Sequence, residues 1–87
     1  MEREFKVTAH DGIHLRPAQL LVEKAQEFEK AEIRILKGDQ EADGKSILSV
    51  LSLGLDTGHC FRLEVKGEQA QACLEALEVV LHREKIA

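Results

Sequence analysis

Apolar residues in this chain recur first with the period of a strand and then with that of a helix, and the period switches back repeatedly along its length. In residues 59–66 (HCFRLEVK), Phe61, Leu63 and Val65 point one way and charged or polar neighbours the other. Residues 3–9 (REFKVTA) alternate likewise, with Phe5, Val7 and Ala9 on the apolar side. Strands with one apolar and one polar face suit an antiparallel sheet wetted on one side. Helices must therefore cover the other side.

The remaining pattern supplies them. Asp11-Gly12 marks a turn, and Pro17 opens a helical stretch to about Glu29, since a missing N–H costs nothing in a first turn. Its apolar face is Ala18, Leu21, Val22, Ala25 and Phe28. Residues 32–37 read as a strand with Ile33 and Ile35 inward, Gly38-Asp39 as a hairpin turn, and 40–43 as a short third strand. A short helix follows from Lys45 to about Leu53, with Gly54 at its C-terminal end. The last helix runs from about Glu68 to His82 and turns Cys73, Leu74, Leu77, Val80 and Leu81 inward. The order is β-α-β-β-α-β-α, and the expected architecture is a two-layer α+β sandwich.

At 87 residues the chain has the length of one domain, too small to enclose a deep cleft. Three phenylalanines and neither Trp nor Tyr leave no stacking platform for single-stranded nucleic acid. A net charge of −4 without a basic cluster speaks against nucleic acid and anionic membranes as partners. No secretory or membrane-spanning apolar run is present, and the chain reads as cytoplasmic, without membrane insertion. Cys60 and Cys73 match neither a redox pair nor a zinc half-site and are expected as reduced thiols. His10, His59 and His82 form no helical pair, so neither metal ligation nor another cofactor is expected. Nothing signals oligomers, and a monomer is the default.

Asp11-Gly12-Ile13-His14-Leu15-Arg16-Pro17-Ala18 carries the chemistry. His14 lies in the turn entering the first helix, where backbone N–H groups are unpaired and the macrodipole is positive. A phosphate at the start Leu15–Ala18 finds donors ready-made, and the Arg16 guanidinium matches its geometry. The same field favours neutral imidazole, the nucleophilic form. A plain surface histidine beside an ordinary arginine is the simpler alternative. Physics alone makes this an anion site, not a carrier.

The run Gly12-Ile13-His14-Leu15-Arg16-Pro17-Ala18 resembles the active-site signature of the HPr family, histidine-containing phosphocarriers of the bacterial phosphoenolpyruvate-dependent sugar phosphotransferase system. Lys45-Ser46-Ile47-Leu48, followed by Ser52-Leu53-Gly54-Leu55, resembles the family's regulatory-serine region. The resemblance covers essentially the whole chain, residues 1–87, as a single HPr-like domain. It implies an open-faced β-sandwich, a four-stranded antiparallel sheet with three helices on one face. It further implies that His14 is phosphorylated on Nδ1 by enzyme I and that Arg16 supports the phosphoryl group in transfer. Enzyme II A-domains are the implied acceptors. Ser46 matches the serine modified by a kinase/phosphorylase in many members; without such a kinase it is simply a helix cap. The pattern departs at Leu15, where many members carry a small or polar residue.

Ile13, Leu15 and Leu20 fall off the core face of the first helix, and Ile47, Leu48 and Leu51 off that of the second. Together they are expected as an exposed docking patch beside His14. A carrier of this kind is a co-substrate rather than a turnover enzyme. The alternative is a regulatory binding module acting through Ser46 with little flux through His14.

Overall fold

Strand register is what turns the alternating pattern into a core. The computed structural model describes residues 1–87, in the order β1 (Glu2–Lys6), α1 (Leu15–Gln26), β2 (Ala31–Lys37), β3 (Gln40–Asp43), α2 (Ile47–Ser52), β4 (Cys60–Gly67) and α3 (Ala70–Arg83). The four strands form one antiparallel sheet in the order β1-β4-β2-β3. Phe5 lies opposite Phe61, Ile33 opposite Val65, and Ile35 between Leu63 and Ala42, so all the apolar partners share a face. A slip of one residue would turn each of them to water. The Phe5 and Phe61 rings stack with centroids 5.6 Å apart. On the opposite face, Arg34 pairs with Glu32 and Glu41, Arg62 with Glu2 and Lys66 with Glu64.

The helices close the apolar face with Ala18, Leu21, Val22 and Ala25 of α1, Val50 of α2, and Cys73, Leu74, Leu77, Val80 and Leu81 of α3. The expected element order and open-faced architecture are what the structure shows. Cys73 is buried, Cys60 is exposed, and both are free thiols. Lys37 pairs with Gln40, which leaves Gly38-Asp39 as a two-residue turn with positive φ at its first position only, the type II′ pattern.

Several boundaries differ from expectation for identifiable reasons. Helix α1 starts at Leu15, not Pro17; Pro17 takes the third helical position, where an N–H would still lack an intrahelical acceptor. It also stops at Gln26, leaving Phe28 in the following turn, half-buried. Lys45 stays outside α2, because its Nζ donates to the carbonyls of Phe28 (2.7 Å) and Glu29 (3.2 Å). Strand β1 ends at Lys6, yet the chain beyond remains tied: Val7 N donates to His59 O, and the amides of Thr8 and Ala9 both donate to Ile86 O. Ile86 itself is fully buried, reached through Lys85 in a left-handed conformation (φ 56°).

Candidate functional site

A tight turn delivers His14 to the start of α1. Gly12 N donates to Ala9 O at 3.1 Å, closing residues 9–12, and Ile13 N donates to Leu55 O at 2.8 Å. Gly12 has φ +72°, and a Cβ there would stand 2.6 Å from Leu55 O, so both conformation and space demand glycine. His14 then occupies the N-cap position with extended backbone (φ −109°, ψ −169°). Its carbonyl accepts from Ala18 N at 3.0 Å, but its side chain does not cap the helix. The ring is exposed and bonded to no other protein group.

The helix start supplies fewer donors than Leu15–Ala18 suggests by count. Ala18 N is occupied by His14 O, and Pro17 has no N–H. The amides of Leu15 and Arg16 donate to no protein acceptor. Arg16 is exposed and free. The other four arginines, Arg3, Arg34, Arg62 and Arg83, each pair with a carboxylate, and Arg16 pairs with none. Two open amides, one uncommitted guanidinium and an exposed imidazole therefore lie within three consecutive residues. No carboxylate is bonded among them to oppose an anion.

The apolar residues around this turn divide. Ile13 is a correction: it is 9% exposed and belongs to the core, because the hydrogen bond its amide donates to Leu55 O pulls it beneath the 9–12 turn. Leu15 (58%) and Leu48 (77%) are exposed. Leu20, Ile47 and Leu51 are half-buried, packed on the edge of the core. Of the six residues expected to form a patch, two leucines project, three are partly covered and one is core. Ser46 is half-buried at the N-cap of α2, and its Oγ accepts from Ser49 N at 3.3 Å.

Sequence reasoning missed the loop behind the turn. Thr57 Oγ1 lies 2.5 Å from Ala9 O and 2.9 Å from His10 O, and Gly58 N donates to Val7 O at 2.8 Å. The Gly54–Gly58 stretch carries turn residues, but nothing in one sequence tells which segment a turn leans on.

Fold and helix start together define a class: small open-faced β-sandwiches with an exposed histidine at an anion-favouring helix start. The family model described as "PTS HPr component phosphorylation site" matches residues 1–83. The chain is similar to the phosphocarrier protein HPr of Haloferax volcanii, 37% identical over 83 residues that cover 93% of this chain and 92% of that protein. It is 42% identical over 79 residues to the HPr of Lysinibacillus sphaericus, covering 91% of this chain and 89% of the relative. The solved structure of a Mycoplasma histidine-containing phosphocarrier protein, 23% identical, has the same fold with a TM-score of 0.95 over 99% of this chain and 97% of that one. The chain belongs to the HPr family of phosphocarriers.

Proposed function

We propose that residues 1–87 act as a single HPr-like domain that accepts a phosphoryl group from phospho-enzyme I on His14 and passes it to enzyme II A-domains in sugar uptake. Arg16 carries this reading: it is the only arginine without a carboxylate partner, and it stands two residues from an exposed, unbonded imidazole. Every other guanidinium lies within ion-pair distance of a carboxylate, and only this one is left free, where an anion would meet it.

In the transfer, the lone pair of neutral His14 Nδ1 attacks phosphorus. The N–P bond forms as the bond from phosphorus to the donor breaks, and the donor keeps that electron pair. The Leu15 and Arg16 amides and the Arg16 side chain face the oxygens, whose charge they offset in both the transition state and the product. No resident cofactor enters this scheme. The partner protein supplies the rest of the active site, docking on Leu15 and Leu48 with Leu20, Ile47 and Leu51 as the rim. Ser46 caps α2 one residue before Ile47 of that rim, so a phosphate added there by a serine kinase/phosphorylase would place a dianion beside the docking face. The reading places this carrier in the cytoplasm with its partners; no helix is long and apolar enough to cross a membrane.

The test is incubation with enzyme I, phosphoenolpyruvate and Mg²⁺. An acid-labile phosphate is expected on His14 and absent from His14→Ala. Labelling that persists in the alanine variant would overturn the assignment.

A further inference from the structure

The turn that presents His14 is held from behind by a loop distant in sequence. The loop grips both of its ends. At the exit, Leu55 O accepts from Ile13 N at 2.8 Å. At the entrance, Thr57 Oγ1 lies within hydrogen-bond distance of Ala9 O (2.5 Å) and His10 O (2.9 Å). Ala9 O is also the carbonyl that closes the turn by accepting from Gly12 N. All other bonds from this loop to residues 7–13 are backbone to backbone. Thr57 is the only side chain among them, and a hydroxyl has one proton to share between two carbonyls.

We propose that Thr57 is a positioning residue for phosphoryl transfer: its hydroxyl fixes the 9–12 turn and thereby the direction in which His14 meets the phosphoryl donor. The proposal rests on His14 being the acceptor. Thr57 is exposed and outside the core, so its contribution to global stability is small. Its contribution to the turn is not, because Ala9 and His10 otherwise lose their only side-chain tether. A reacting atom displaced by a fraction of an ångström slows the chemical step without changing how partners recognise the surface.

The experiment compares wild type, Thr57→Val and Thr57→Ser as full chains in rapid-mixing transfer from phospho-enzyme I. Thr57→Val keeps the shape and removes the donor; Thr57→Ser keeps the donor. The valine variant is expected to show a limiting rate about three- to ten-fold lower, with half-saturation and Tm close to wild type. Amide exchange at Gly12 and Ile13 should quicken in the same variant. The serine variant should restore both readouts. Wild-type transfer and exchange in Thr57→Val would overturn the proposal, as would a serine variant as slow as valine. A changed half-saturation with an unchanged limiting rate would make Thr57 a docking contact and also overturn it. If the wild type itself takes no phosphate on His14, the assigned function fails, and the exchange rates alone then report whether Thr57 holds the turn.

Discussion

Arg16 is the residue on which charge bookkeeping is most informative. Every other arginine is tied to a carboxylate, and such surface pairs add little stability. A guanidinium left free costs the fold nothing and keeps its hydrogen-bonding fork available. Arg16→Ala should therefore leave Tm within a few degrees of wild type. It should slow phosphoryl uptake on His14 by about 10- to 100-fold, the worth of a charge-assisted contact of ~1.5–3 kcal/mol. Arg16→Lys should fall between, since a point charge replaces one cation but not two parallel donors. Stopped-flow transfer at saturating phospho-enzyme I measures both. His14, Arg16 and Pro17 could be singled out from sequence because their spacing relative to a helix start is local. That Ala18 contributes no free amide, and that Ile13 is core rather than patch, depended on hydrogen bonds that their amides donate to His14 O and Leu55 O, which local spacing does not encode.

Among the elements, the short turn before α1 is tightly constrained. Gly12 combines positive φ with a neighbour at a distance no Cβ tolerates, and that neighbour is backbone, which cannot swing aside. Gly12→Ala should destabilise the fold by about 1–3 kcal/mol, seen as a lower urea midpoint. It should also disturb the amide resonances of Ile13 and His14. By contrast, Gly38, Gly54 and Gly58 have open space where a Cβ would stand, so alanine there meets only the cost of its φ. The elements themselves were legible because their periods are strong: β4 and α3 appear almost where Phe61-Leu63-Val65 and Leu74-Leu77-Leu81 place them. Their ends were not, because ends are set by tertiary partners. Lys45 is drawn off α2 by the carbonyls of Phe28 and Glu29, and β1 is cut short where Ile86 takes over its amides.

For the molecule as a whole, β1 and α3 are linked by Arg3, Glu78 and His82. Burial tends to raise the Glu78 carboxyl, but hydrogen bonds from Arg3 and His82 outweigh it and hold it below the usual carboxylate range. A carboxyl depressed in the folded state stabilises above its unfolded pKa, and that contribution disappears as pH falls through the folded one. Urea unfolding at about pH 6 and about pH 3 should show a larger acid loss for wild type than for Glu78→Gln. The same scale governs the site. Residues 8–9 hang from residue 86, and residues 9–10 from residue 57, so the turn that leads to His14 is assembled from three widely separated stretches of chain. Contacts of such long separation form late. On the ribosome, a nascent chain can complete its sheet hairpin early, but His14 gains a settled bearing only once Ile86 has cleared the exit tunnel and seated.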